Sequence, residues 1–101
     1  MPVTVVDVPE LSRYEARVDG QVAGFADYHR RGDLVVFTHT EVDSEHEGQG
    51  VASALAREVL DDVRRRDLRA LLRCPFLSKW ASRHPEYADV LVHQEAHTDT
   101  G

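Results

Sequence analysis

Tyr14, Ala16 and Val18 alternate with Arg13, Glu15 and Arg17. A period of two sends successive side chains to opposite faces, so this segment is expected to be a strand with one buried and one wet face. Val3-Thr4-Val5-Val6 is a β-branched run that stops at Pro9 and predicts an earlier strand. Asp19-Gly20 follows the alternating segment. That dipeptide favours a type I′ turn, in which both central residues need φ > 0. Gln21–His29 is therefore expected to return as the second arm of a hairpin. Gly24 within it marks a bulge or a close approach by another backbone. Arg31-Gly32-Asp33 predicts a further turn. Leu34–Val42 has the strongest strand pattern in the chain, and its first half is apolar on both faces, as in a strand central to a sheet.

The period then changes. Val51, Ala52, Leu55, Val59, Leu60 and Val63 recur at helical spacing, with Arg57, Glu58, Asp61, Asp62, Arg64 and Arg65 opposite them. This predicts an amphipathic helix from about Gly50 to Arg66. Asp61–Arg65 and Asp62–Arg66 are expected i,i+4 ion pairs with the acid first. Leu68–Arg73 reads as a buried strand. Cys74-Pro75 opens a second helix through Arg83, with Pro75 at the first helical position, and His84-Pro85 closes it. Ala88–Val92 fits a last short strand or a helical turn. The polar residues 93–101 are expected to fray.

The strand–helix–strand unit implies one right-handed parallel crossover, and the hairpins before it imply antiparallel neighbours. The predicted fold class is α/β in the α+β sense. A single domain over residues 1–92 would hold a mixed, mainly antiparallel sheet with two main helices packed on it, followed by a tail over 93–101.

Composition narrows the function. A chain of 101 residues holds one domain. Its net charge of −6 lacks the electrostatic footprint of a general nucleic-acid binder. No apolar run approaches bilayer length, and Met1-Pro2-Val3-Thr4 has neither the basic nor the apolar region of a signal peptide. No membrane partner and a cytoplasmic location are expected. Cys74 is the single cysteine, which excludes an intrachain disulfide and a multi-cysteine metal site. His93 and His97 have i,i+4 spacing on a weakly helical tail, and no metal is expected there. His29 and His46 read as surface residues, and Trp80 as a packing residue of the second helix.

Glu45-His46-Glu47-Gly48-Gln49-Gly50-Val51-Ala52-Ser53 lies between the strongest strand and the longest helix. Two glycines one residue apart let the backbone curl and approach a ligand. The free N–H groups and positive dipole end of the following helix point to the same place. That combination suits a phosphate or pyrophosphate, and a turn that merely starts a helix is the plainer reading. No lysine follows the glycines, so the P-loop pattern fails. The dinucleotide fingerprint G-x-G-x-x-G misses only at Ser53, and Arg73 would suit a 2′-phosphate. However, that fingerprint belongs after the first strand of a parallel sheet.

The remaining scheme is the pyrophosphate loop of acetyltransferases. The chain resembles the GNAT (Gcn5-related N-acetyltransferase) superfamily, whose loop is [R/Q]-x-x-G-x-[G/A]. It is most similar to a short, stand-alone YjdJ-type branch. The resemblance rests on His39-Thr40-Glu41-Val42, then Glu47-Gly48-Gln49-Gly50-Val51-Ala52, then Cys74-Pro75-Phe76, then His84-Pro85-Glu86-Tyr87. It covers Tyr14 to Val92. Glu45 departs from the usual Arg or Gln, and the helices and C-terminal arm with which fuller members shape an acceptor pocket are cut back.

The resemblance implies acetyl-CoA as co-substrate, in a V-shaped gap beside the Leu34–Val42 strand. Its pyrophosphate would take N–H bonds from Gly48, Gln49, Gly50, Val51 and Ala52, with Ser53 adding a hydroxyl. Its pantetheine amides would pair with the backbone of Thr40, Glu41 and Val42. The implied reaction is direct attack of an amine on the thioester. It needs a base for the amine and an acid for the leaving thiolate. His39 and Glu41 share a strand face and are the candidate bases; a structural histidine and a solvated carboxylate are the plainer readings. Cys74 is either a covalent acetyl acceptor or a small buried apolar residue. Tyr87 is either the acid that protonates the thiolate or a packing tyrosine, and His84 is either an alternative acid or a cap. Arg64-Arg65-Arg66 and Arg57 either suit the helix dipole or contact the adenosine 3′-phosphate. The partner is a small-molecule or peptide amine, which the acidic surface would favour as a cation, with the protein a monomer or homodimer. Two other functions fit the same residues: a CoA-binding module with little transferase activity, and an NADP-type nucleotide binder resting on Gly48, Gly50 and Arg73.

Overall fold

The structure is a computed structural model that describes residues 3–44 and 50–92. Five strands form one sheet in the order β1-β2-β3-β4-β5. These are β1 (Thr4–Val8), β2 (Arg13–Val18), β3 (Gln21–Arg31), β4 (Leu34–Val42) and β5 (Arg69–Leu72). β1 to β4 are antiparallel neighbours, and β5 runs parallel to β4. Helix α1 (Val51–Arg65) makes the crossover between β4 and β5, and α2 (Pro75–Ser82) follows β5. A 3-10 turn over Pro85–Val90 then leads to a single parallel bridge between Leu91 and Ala70. Both readings of the 88–92 segment are thus partly realised, as a helical turn and then one residue of sheet.

Local chemistry explains the joints. Asp19 and Gly20 both take positive φ, 52° and 81°, as the two-residue hairpin demands. Gly32, at φ 62°, turns β3 into β4. Gly24 serves both purposes read from its position. The β2–β3 register shifts between Ala16 and Arg17, leaving Ala23 as the extra residue beside it. A Cβ at Gly24 would also lie 2.8 Å from the Glu41 carbonyl oxygen of β4.

One face of the sheet meets both helices. Ala16, Ala26, Phe37 and Ala70 of the sheet, Leu55, Val59, Leu60 and Val63 of α1, and Leu77 of α2 belong to one buried cluster. Tyrosine–aspartate bonds tie the polar flank of α1 to its surroundings. Tyr14 donates to Asp62 at 2.6 Å and Tyr87 to Asp61 at 2.7 Å. Asp61 is therefore turned from the expected partner Arg65, which pairs with Asp62 at 2.8 Å instead. Asp62–Arg66 forms as expected, at 3.0 Å. Burial and the aspartate beside it raise the Tyr14 phenol above its ordinary range. Burial and Asp7 push Tyr28 up to about 12.

The other face carries Arg13, Glu15, Arg17 and Phe25. Glu15 is only 4% exposed, yet both its oxygens are satisfied, by Arg13 and Arg17 at 2.7 Å each. Those bonds hold its carboxyl below the usual range. No described helix is long and apolar enough to cross a membrane.

Two measurements test this packing. Gly24→Ala forces β3 and β4 apart and is expected to cost about 1–3 kcal/mol of unfolding free energy, read by urea denaturation; wild-type stability would contradict the close approach. Glu15 has a folded pKa below its unfolded one, so its contribution is complete above the unfolded value of about 4.3 and is lost as pH falls through the folded value. Glu15→Gln is expected to flatten the acid limb of a stability–pH profile, and an unchanged limb would remove Glu15 from the account.

Candidate active site

The site begins where β4 and β5 part. The two strands pair from Leu34–Arg69 to Phe37–Leu72, and Arg73 N–H donates to the Phe37 carbonyl at 2.9 Å. No described residue of β5 pairs beyond that point. Cys74 then serves as the N-cap of α2, and Pro75 starts the helix. The β5 side of β4 is left open over Thr40 to Val42.

At the same point the β3–β4 register slips by one residue. Asp27 pairs with His39 and Tyr28 with Phe37, so Thr38 is extra. An extra residue reverses which face each later side chain takes. Val35 and Phe37 point into the core. Beyond the slip, Thr40 and Val42 take the helix side and His39 and Glu41 the other. Phe25 and His39 ring centroids lie 6.1 Å apart on that outer face.

The helix side holds a groove of about 800 Å³. Thr40 and Val42 line one wall, the start of α1 from Gly50 to Ser53 a second, and Phe76, Lys79, Trp80, Arg83 and His84 a third. Gly50 heads α1 at φ 79° with open space where a Cβ would stand, so glycine is required here by its backbone angle. The first N–H groups of α1 have no carbonyl within their own helix to accept them. Ser53 Oγ accepts from Trp80 Nε1 at 3.2 Å and keeps its own proton for another acceptor. His84 stacks on Trp80 with centroids 3.6 Å apart. Its Nδ1 lies 2.8 Å from the Trp80 carbonyl; a carbonyl only accepts, so Nδ1 carries hydrogen. Cys74 is 2% exposed, and its thiol donates to Thr40 Oγ1 at 3.1 Å.

The proposed bases sit together on the opposite face. His39 Nε2 and Glu41 Oε2 are 2.8 Å apart, with side chains 53% and 63% exposed. Tyr87 does not line the groove, but its ring packs against Trp80 with centroids 5.7 Å apart. It is buried, its hydroxyl donates to Asp61, and burial followed by Asp61 raises its pKa. Gly48 and Gln49 fall outside the described residues, as do Glu45, His46, Glu47, His93 and His97.

A family profile described as "GCN5-related N-acetyl-transferase" matches residues 13–90. The chain belongs to the GCN5-related N-acetyltransferase family. Human protein NATD1 is 38% identical over 52 residues, which is 52% of this chain and 46% of the human one. The zebrafish protein NATD1 is 35% identical over 57 residues. The match thus spans about half the length of these curated relatives. A GCN5-like protein from Staphylococcus aureus, solved by NMR, superposes with TM-score 0.69 at 21% identity and covers 93% of this chain and 92% of its own. A ribosomal-protein-alanine N-acetyltransferase from Brucella melitensis superposes with TM-score 0.52 at 28% identity, over 62% of this chain and half of its own.

Within the GCN5-related frame the structure redistributes several residues. Arg64 pairs with Asp89, Arg65 with Asp62, and Arg66 with Asp7 and Asp62. They end α1, roughly 20 Å along the helix from the groove, and their contacts are those of a solvated helix end. Arg57 is 5.4 Å from the Trp80 ring centroid and bonds Tyr87. Arg73, the residue that suggested a 2′-phosphate, lines a separate cavity on the outer face. Lys79 and Arg83 were missed from sequence, although their i,i+4 spacing on a helix beginning at Pro75 marks them as one stripe.

The backbone role of Gly50 is testable. Gly50→Ala is expected to cost about 1–2 kcal/mol of stability, the left-handed strain of a Cβ residue. Gly50→Asn should cost less, because asparagine tolerates that region. Equal stability of all three proteins by urea denaturation would show that the glycine is not held at positive φ.

Proposed function

We propose that the protein is an acetyl-CoA-dependent N-acetyltransferase that moves an acetyl group to a primary amine. The observation that carries this reading is the end of β4–β5 pairing at Phe37. It leaves main-chain groups of Thr40, Glu41 and Val42 for the amides of a pantetheine arm, in the groove where α1 begins. Acetyl-CoA, when bound, supplies an acyl thioester. The N–H groups at Gly50 to Ser53 suit its pyrophosphate, joined by Gly48 and Gln49 outside the described residues. Lys79 and Arg83 add positive charge to the same groove.

On the outer face, the Glu41 carboxylate accepts from His39 Nε2–H, which leaves His39 Nδ1 as the lone-pair site for an amine proton. Cys74 stands beside the open β4 segment through Thr40. It is the candidate covalent acceptor, and Cys74→Ala separates the two routes because direct attack survives it. Tyr87 must release Asp61 before it can protonate a thiolate. His84, stacked in the groove, is the alternative acid.

A CoA-binding module with little turnover is the second reading. It is favoured by the exposure of His39 and Glu41, since a pair open to solvent does not keep water away from the reacting groups. An NADP-type binder is not favoured, because the sheet has one parallel strand pair and its glycines follow the fourth strand.

Thermal unfolding with acetyl-CoA, CoA and NADP is the test. Ligand at ~100 times Kd adds about 2.7 kcal/mol, a rise of roughly ten degrees or more for a domain this small. Acetyl-CoA and CoA are expected to give it, and Lys79→Gln with Arg83→Gln to reduce it. Thiol release with an amine panel separates enzyme from binding module. No shift at millimolar acetyl-CoA overturns both.

A further inference from the structure

The outer face of the sheet carries a second cavity, a trough of about 520 Å³ across β3, β4 and β5. Val36 and Leu71 supply its apolar lining, and Arg31, Arg73, His29 and Thr38 its polar lining. Arg30 lines it too, but its guanidinium is held by the Gly32 carbonyl at 3.0 Å.

The distribution of charge marks this trough as it marks the groove. The chain has eighteen acidic and twelve basic side chains, and Arg13, Arg17, Arg57, Arg64, Arg65 and Arg66 each lie against a carboxylate. Among the described residues, Arg31 and Arg73 have no such partner; Lys79 and Arg83 share that lack, and they face the groove already described. Two free guanidinium groups over an apolar lining, in a chain with acid to spare, match what a carboxylate or phosphate needs. The guanidinium fork binds either anion through paired N–H bonds.

Position says what the anion is attached to. Thr38 and Arg73 mark the place where β4 and β5 part, and the next outward side chains along β4 are His39 and Glu41. Thr38 to Glu41 spans about 10 Å of extended strand. A molecule lying along β4 with its anion in the trough would bring a group several bonds away to the His39–Glu41 pair.

We propose that the acceptor is an amine that also carries an anionic group, an ω-amino acid or its phosphate counterpart, held by Arg31 and Arg73. This rests on the acetyl-transfer reading above and reverses the expectation, drawn from net charge, of a purely cationic acceptor. Arg31 and Arg73 are binding and specificity residues, and neither touches the reacting atoms.

The test uses the full chain without acetyl-CoA. Backbone amide NMR shifts are followed during titration with 6-aminohexanoate, 6-aminohexyl phosphate and hexylamine. The anionic amines are expected to shift Thr38, Leu71 and Arg73 to saturation, and hexylamine is not. The tighter of the two anions assigns carboxylate or phosphate. Arg31→Gln and Arg73→Gln are each expected to weaken that binding roughly ten-fold or more, the loss of one charge-assisted contact, with the melting temperature and its acetyl-CoA shift unchanged. In turnover, Arg73→Gln should raise KM for 6-aminohexanoate and leave kcat alone. Equal binding of hexylamine and 6-aminohexanoate, or indifference to both substitutions, overturns the proposal while the acetyl-CoA shift still stands. Absence of that shift overturns the reading beneath it, whatever the trough binds.

Discussion

A single unpaired residue, Thr38, organises this molecule. Strand pairing on both sides of β4 changes within two residues of it. On the β3 side the register slips, and on the β5 side the pairing ends. The slip sends Thr40 and Val42 to the helices and His39 and Glu41 to the opposite face. The end of pairing opens the β4 backbone towards the groove. A regular β4, paired along its length, would bury that backbone and reverse the later side chains. The groove, the His39–Glu41 pair and the outer trough all meet at this irregularity.

The rest of the chain holds the irregularity in place. Gly24 lets the β3 backbone approach Glu41 more closely than a Cβ permits. Cys74 and Pro75 turn the chain from β5 into α2, and Trp80 of α2 closes the groove together with His84 just beyond the helix. Trp80 has several partners at once. It donates to Ser53, stacks on His84 and lies beneath Arg57. One indole thereby joins the start of α1 to the far wall of the groove.

Charge is sorted with the same economy. Excess carboxylate anchors tyrosines and arginines around α1 and β1, where Asp7 serves both Tyr28 and Arg66. Lys79 and Arg83 face the groove, and Arg31 and Arg73 face the trough. An acidic chain thus keeps positive charge in both the groove and the trough, which a net charge of −6 does not reveal.

Local chemistry alone determined much of this. Alternation fixed β2, the Asp-Gly pair fixed its turn, helical spacing fixed α1, and Pro75 fixed the start of α2, because each depends on backbone geometry within a few residues. The order of elements limited the sheet to antiparallel hairpins and one crossover. Tertiary structure decided the facing of β4 beyond Phe37, since a one-residue slip is set by the partner strand and leaves no mark on periodicity. It also gave Asp61 to Tyr87 in place of Arg65, and left Arg31 and Arg73 unpaired. Which charges meet depends on side chains brought together by packing from distant parts of the chain, and spacing along one helix does not encode that.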